Sequence, residues 1–394
     1  MLSDKNADVI RATLPVVGEN LGPITERFYR KLFAAAPVLE RDVFNRSNQA
    51  RGEQQRALAG AVAQFATLLI ADTDTDPRET IGRIANKHAS LGVLPAHYEV
   101  VHTHLFAAIV EVLGDAVTED VAGAWDAVYW LLADALIDAE KDLYAEAGVQ
   151  AENIWKTVTV LDKQRETATV ASFTLGALDG ETLPPFKAGQ YISVAVTLAD
   201  GARQIRQYSV TQVTPSTYRI TVKRESGDPE GEVSNYLHRR IDSGDTLVVS
   251  PPFGDVVLPQ GDGPVVLVSA GIGNTPFVSF LHDLAAKGDT RSVTVYHADT
   301  APSAHAHREE TEQLIKALSA DGRFWYEDLE GFSDEHIAEG QISGSAIEIP
   351  AGADVYLCGP IPFLDAAKKI AVAKGVDGSR IHYEVFGPDT WLGV

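Results

Sequence analysis

The chain has 394 residues, 45% of them hydrophobic and 22% charged, with 55 acidic against 33 basic side chains and a net charge of −22. That length exceeds one hydrophobic core, so two or three domains are expected, and the acid excess in both halves argues against nucleic acid or anionic lipid as a partner. The single cysteine, Cys358, excludes an intramolecular disulfide and any cysteine-held cluster, no apolar run is long enough to span a bilayer, and the opening MLSDKNADVIRATL has no basic region before a greasy one. A cytoplasmic location is the expectation that follows.

To about residue 148 the chain reads helical. Ile24, Phe28 and Leu32 recur at four-residue intervals in GPITERFYRKLF, and QQRALAGAVAQFATLLI, HYEVVHTHLFAAIVEVLG and DVAGAWDAVYWLLADALIDAEKDLYAEAG keep the same period. Pro15, Pro23, Pro37, Pro77 and Pro95 stand where helices are expected to start or break. Six to eight helices are predicted.

Between about 149 and 260 the texture changes to short runs rich in Val, Thr and Tyr, among them TVTVLDKQ, QYISVAVTL, RQYSVTQV and TYRITVKRE, separated by Gly, Pro and Asp. These predict an antiparallel barrel or sandwich. From 261 to 394 strands and helices alternate, starting with PVVLVSAGIG and NTPFVSFLHDLAAKG, which predicts a mainly parallel sheet with covering helices.

Two stretches carry chemistry by spacing. In SAGIGNTP a buried strand runs into Gly271 and Gly273 and then into a helix at Thr275, an arrangement that suits a phosphate or merely a tight strand–helix turn. In RQYSVT, alternation puts Arg206, Tyr208 and Val210 on one strand face and Gln207 and Ser209 on the other. Arg and Tyr there suit a pyrophosphate and a planar ring, or an ordinary solvated face. His88, in IANKHASLGV, is by periodicity alone a core histidine.

RQYS, GEVSNYLH (231–238), SAGIGNTP, YLCGP (356–360) and HYEVFGP (382–388), in that order, resemble the ferredoxin–NADP⁺ reductase-like module. That resemblance implies FAD held by Gln190, Tyr191, Arg206, Gln207, Tyr208 and Ser209, with its pyrophosphate at Gly231, Val233 and Ser234. It implies a nicotinamide nucleotide along Gly271, Ile272, Gly273, Asn274 and Thr275 and against Cys358, Gly359 and Pro360. Phe386 would cover the flavin ring, with Glu384 near its edge; Val385 stands where relatives carry Cys.

With RFYRKLF, DVFN, EQQRAL and LIDAEKDLY upstream, the whole chain resembles the flavohaemoglobins. The resemblance implies a globin haem domain (1–148), a β-barrel FAD domain (149–260) and an α/β NAD(P)-binding domain (261–394). His88 would be the axial ligand of haem b, with Tyr98 and Glu140 bonded to its imidazole. Tyr29, Gln54 and Leu58 would lie on the distal side, and Phe44 would pack on the haem. The implied activity is nitric oxide dioxygenation: NO and O₂ become nitrate, with electrons from NAD(P)H passing through FAD to haem within one monomeric chain. Lys87 is expected to face the flavin domain and pair with Glu384. An oxygen-binding or sensing globin with its own reductase, and a plain FAD reductase with a helical protein-binding domain, are the two alternatives. Neither NADH nor NADPH is favoured, because no ribose acid or arginine cluster stands out after Tyr296.

Overall fold

In a computed structural model the described residues are 2–46, 53–71, 81–178, 182–214 and 216–387, with the side chains of 53–57, 59 and 213 left undescribed. Packing divides the chain into two units. One holds Met1–Trp155 with Ala195–Arg206, the other Lys156–Val194 with Gln207–Phe386.

The first unit is helical, and seven helices are described in it: α1 (Asp4–Glu19), α2 (Leu21–Ala35), α3 (Pro37–Asp42), α4 (Glu53–Ile70), α5 (Gly82–Ala89), α6 (Pro95–Leu113) and α7 (Glu119–Glu146). Ser3 caps α1 by accepting from the Asn6 N–H at 3.2 Å, and Thr118 caps α7 by accepting from Val121 N–H, with Glu119 and Asp120 in its first turn. The four-residue periodicity of α2 buries Ile24, Phe28 and Leu32 in one cluster with Leu105, Ala108 and Ile109 of α6 and Trp125, Val128 and Leu132 of α7. Pro37 and Pro95 open helices as expected, and Pro77 lies outside the described residues. Pro15, in contrast, lies inside α1. Its ring sits on an exposed position, so the helix continues around the lost hydrogen bond instead of ending there. No helix among the described residues is long and apolar enough to cross a membrane.

Six strands then close into a barrel in the order β1-β2-β5-β4-β3-β6: β1 (Lys156–Arg165), β2 (Val170–Ala177), β3 (Tyr191–Thr197), β4 (Arg203–Thr214), β5 (Thr217–Lys223) and β6 (Thr246–Val249). The β1–β2, β2–β5, β4–β5 and β1–β6 pairs are antiparallel, and β4 bulges between Val210 and Gln212. Helix α8 (Glu232–Arg240) follows β5.

The second sheet has the order β10-β9-β8-β7-β11-β12, from β7 (Val265–Ala270), β8 (Val293–Asp299), β9 (Asp321–Tyr326), β10 (Ile337–Glu339), β11 (Asp354–Cys358) and β12 (Ile381–Glu384), and the five pairings are parallel. β7 is buried from Val265 through Ser269, as a strand covered on both faces requires. Helices α9 (Thr275–Lys287), α10 (Arg308–Ala317) and α11 (Ile361–Ala373) link these strands. The chain leaves β7 toward β8 and returns on its other side as β11, so the strand order reverses between β7 and β11. Open α/β sheets bind ligands in such a crevice, at the carboxyl ends of the strands.

A polar junction fastens this sheet to the barrel. Arg219 of β5 donates to both oxygens of Glu310 on α10 (2.8 and 2.9 Å), His282 of α9 donates at 2.6 Å and His307 at 2.7 Å. The second nitrogen of His307 meets Thr221 of β5 at 2.7 Å. Burial pushes the Glu310 carboxyl up, but hydrogen bonds from His282, His307 and Arg219 outweigh it and hold the group far below its ordinary value. A depressed carboxyl stabilises the fold fully above its unfolded value of 4.5, and that contribution drains away as pH falls toward the folded value. Glu310→Gln, which leaves Arg219 without its countercharge, should destabilise the chain by about 2 kcal/mol in urea melts at pH 7. Below pH 4.5 the gap from the native chain should narrow by about 1.4 kcal/mol per unit.

Candidate active site

His88 stands in the last turn of the short helix α5, whose packing buries Ala85, Asn86 and Ala89 and leaves the imidazole about one-third exposed. Its Nδ1 lies 2.8 Å from Glu140 Oε1 and 2.9 Å from the Tyr98 hydroxyl, and that hydroxyl lies 2.5 Å from the same Glu140 oxygen. Proton placement follows from these distances. Burial, and then the charge of Glu140, raise the Tyr98 pKa, so the phenol keeps its proton and donates it to Glu140. The oxygens of Glu140 and Tyr98 are then both acceptors toward the ring, and Nδ1 must carry the imidazole hydrogen. Nε2 is left with the lone pair, and it makes no hydrogen bond among the described residues. Tyr98 thus spends its donor on the carboxylate and only accepts from the imidazole.

The elements that build this triad are far apart in sequence. Glu140 follows Leu132 and Leu136 at four-residue steps on the buried face of α7, and is 2% exposed although Asp138 and Asp142 flank it. Tyr98 stands in the first turn of α6 and is buried. Tyr129 of α7 supports it by donating to the Tyr98 carbonyl at 2.6 Å. Neither Tyr129 nor His97, whose Nδ1 accepts the Leu94 N–H at 3.0 Å and whose pKa burial lowers, stood out in sequence.

Tyr29 is buried on α2 among rings: Phe28 at 4.7 Å, Phe33 at 5.6 Å and Phe44 at 5.8 Å between centroids. Burial raises its pKa, and its hydroxyl has no hydrogen-bond partner among the described residues. Phe44 and Leu58 pack against the same core. Phe33, four residues after Tyr29, completes the aromatic corner; the i, i+4 spacing was its signal. Gln54 lies on α4, and its side chain falls outside the described residues.

In the second unit, Tyr208 is half-buried and Ser209 buried on β4, and Gln207 donates to Ser193 at 2.8 Å. Gln190 accepts the Lys187 N–H at 2.8 Å, and Tyr191 pairs with Phe253. Gly231 caps α8, and no side chain caps the helix's first turn. Instead Ser234 accepts from Glu225 N–H (3.1 Å) and Asn235 donates to the carbonyls of Glu225 (2.7 Å) and Gly231 (2.9 Å), which ties the turn to the segment before it and leaves its amides without a side-chain cap. Val233 is fully buried beneath it. Arg206 falls in the helical unit, where it donates to Asn45 and to the Ile205 carbonyl, each at 2.8 Å.

At the crevice, Gly271 adopts φ +55°, and Ile272 and Asn274 complete the turn into α9, where Thr275 donates to the Ile272 carbonyl at 3.0 Å. A Cβ on Gly273 would stand 2.5 Å from the Cys358 carbonyl oxygen and 2.8 Å from Gly359 N, so only glycine lets the β7 and β11 crossings meet. Cys358 is fully buried, Pro360 precedes α11, Glu384 is 8% exposed, and Phe386 is an aromatic ring left 49% exposed.

The chain matches the globin family model over residues 26–136 and the oxidoreductase NAD-binding domain model over 267–369. It is 41% identical to a flavohemoprotein of Bordetella pertussis, covering 98% of this chain and 99% of that protein, and 39% identical to one of Vibrio cholerae over the full length of both. Among solved structures, it resembles the flavohemoglobin of Malassezia yamatoensis with bound FAD and heme, with a TM-score of 0.89 and 36% identity over 98% of this chain and 100% of that one. With a globin model at one end, a reductase model at the other and relatives matched throughout, the chain belongs to the flavohemoprotein family.

Proposed function

We propose that this oxidoreductase holds haem b on His88 and FAD on the barrel, takes electrons from NAD(P)H, and converts nitric oxide and O₂ to nitrate. The observation that carries the proposal is the shared Nδ1 hydrogen of His88, which leaves Nε2 as a ready axial nitrogen backed by a buried carboxylate. The donor set fits haem: no group of three or more His, Cys, Asp or Glu among the described residues could hold a bare metal, and a porphyrin needs one axial imidazole. The uncapped amides of α8 and the glycine crossing at Gly273 fit FAD and nicotinamide phosphates. When bound, haem supplies the iron at which O₂ and NO combine, and FAD accepts a hydride and releases electrons singly.

The chain's own residues do the rest. Glu140 draws the Nδ1 hydrogen and makes the imidazole a stronger electron donor through Nε2, which favours oxygen activation over reversible carriage. Tyr98 holds the carboxylate oxygen in line. Tyr29 keeps its proton and offers an unspent O–H donor from an apolar corner, suited to stabilising negative charge as it develops. Lys87, next to His88, is proposed as the point where electrons arrive. The division into domains near residues 148 and 260 belongs to the same proposal.

Three variants test it. His88→Ala should abolish the Soret band of the purified chain and leave NADH-driven ferricyanide reduction intact; an unchanged Soret spectrum would overturn the ligand assignment. Glu140→Gln should keep the Soret band and lower NO-dependent nitrate formation by about tenfold. Tight reversible oxygen binding without nitrate, in the native chain, would instead indicate an oxygen store. Charge reversal in Lys87→Glu should slow flavin-to-haem transfer in stopped flow with ferricyanide reduction unaltered, and an unchanged transfer rate would remove Lys87 from the path.

A further inference from the structure

The end of the nucleotide crevice away from Cys358 is lined by acid. β7 carries the Gly271 turn, β11 flanks it on one side and β8 on the other. A dinucleotide crossing the end of β7 with its nicotinamide toward β11 therefore lays its adenosine ribose over the end of β8, where dinucleotide folds commonly place a ribose-binding acid. β8 ends in Asp299, whose side chain is only 9% exposed. Its Oδ1 accepts the Thr300 N–H at 2.7 Å, and its Oδ2 stands 3.7 Å from Nε2 of the buried His297. Sequence spacing did not single it out.

More carboxylates come from the next strand. The β8–β9 ladder runs on past the strands, Glu327 N–H to Asp299 carbonyl (3.2 Å) and Asp328 N–H to Thr300 carbonyl (2.9 Å), which sets two exposed acids beside Asp299. Glu330 follows with φ +51°, an unfavourable backbone for a non-glycine residue. It is held there by a two-point clamp: Ser303 donates its N–H to one carboxylate oxygen (2.9 Å) and its hydroxyl to the other (2.7 Å). Cations among the described residues stand nearby. Lys223 acts on Asp299, and Arg308 is occupied, lying 4.8 Å over the Phe332 ring and donating to Glu312 at 3.3 Å. Independently of the acids, Asn274 Oδ1 and His305 Nε2 are buried without a hydrogen-bond partner in the turn and loop that border this end, as groups awaiting a polar ligand would be.

We infer that Asp299 and the Ser303-clamped Glu330 bind the hydroxyls of an unphosphorylated adenosine ribose and repel a 2′-phosphate, making the chain selective for NADH over NADPH. The inference rests on the proposed flavin reductase activity and deepens it. A 2′-phosphate would bring nearly two more negative charges beside four carboxylates, with Lys223 and an already paired Arg308 as the cations described near them; such like-charge juxtaposition is costly and rejects the competing ligand.

The test is steady-state ferricyanide reduction by the purified FAD-loaded full chain with NADH and with NADPH. The native chain should favour NADH in kcat/KM by about 100-fold or more. Glu330→Gln and Asp299→Asn should each move the NADPH/NADH ratio toward NADPH by about tenfold, and Glu330→Arg by more. Raising ionic strength from about 0.02 to about 0.2 M should lift the same ratio in the native chain, because screening weakens repulsion that only NADPH feels. Equal use of the two nucleotides, or a ratio unmoved by all three variants, overturns the inference while leaving the reductase reading intact. No reduction with either nucleotide overturns that reading and the inference together.

Discussion

One hydrogen, on Nδ1 of His88, is shared by Glu140 at 2.8 Å and Tyr98 at 2.9 Å, and the orientation of the imidazole depends on it. The sharing fixes the tautomer, and the tautomer decides which nitrogen can act as a base. Three helices must meet to build it, since α5 brings the imidazole, α6 the phenol and α7 the carboxylate. The periodicity of α7 that buries Leu132 and Leu136 is the same one that drives Glu140 inward, so core packing itself delivers the charge to the ring. A slip of one residue in α7 would exchange Glu140 for Ala139 or Lys141 and lose the tautomer.

In the reductase unit the corresponding constraint is backbone proximity. Gly273 meets the Cys358–Gly359 peptide at distances no Cβ tolerates, so at this point the ends of β7 and β11 meet main chain to main chain. The Glu310 junction then binds that sheet to barrel strand β5 through Arg219, His282 and His307. On the proposed reading, main-chain geometry at this crossing would serve the phosphates that every dinucleotide carries, and Asp299 and Glu330 would be the side chains that distinguish one dinucleotide from another.

Much of this organisation was legible in the sequence because it rests on period. Helical, alternating and strand–helix textures each follow from which faces are buried, and α2, β7 and the Gly271 turn appear where their spacing put them. Chemistry that depends on contacts between distant residues was not legible from spacing. Glu140 sits between acids at 138 and 142 and looks solvated until α7 is packed. His88 read as a core histidine until motifs elsewhere in the chain placed it in a family. Asp299 stands 26 residues after Gly273 with no glycine signature of its own, and Glu330 acquires meaning only when Ser303 is seen to clamp it. Pro15 shows the converse, a strong local signal overridden because its helix face is exposed.

The burial of Glu140 has a thermodynamic meaning of its own. A carboxylate 2% exposed, with a phenol and an imidazole as its bonded partners, costs stability that an apolar side chain of similar size would not. The two hydrogen bonds to the carboxylate offset part of that cost, and a Lewis acid seated on Nε2 would add to them by withdrawing electrons from the ring and strengthening the Nδ1–H···Oε1 bond. Linkage makes the effect reciprocal: whatever the occupant of Nε2 contributes to the Glu140 hydrogen bond, Glu140 returns to the occupant's affinity and electron density. The buried acid is therefore a poor choice for a helical domain that only docks partners, and a reasonable one for a domain whose imidazole must donate strongly to a metal.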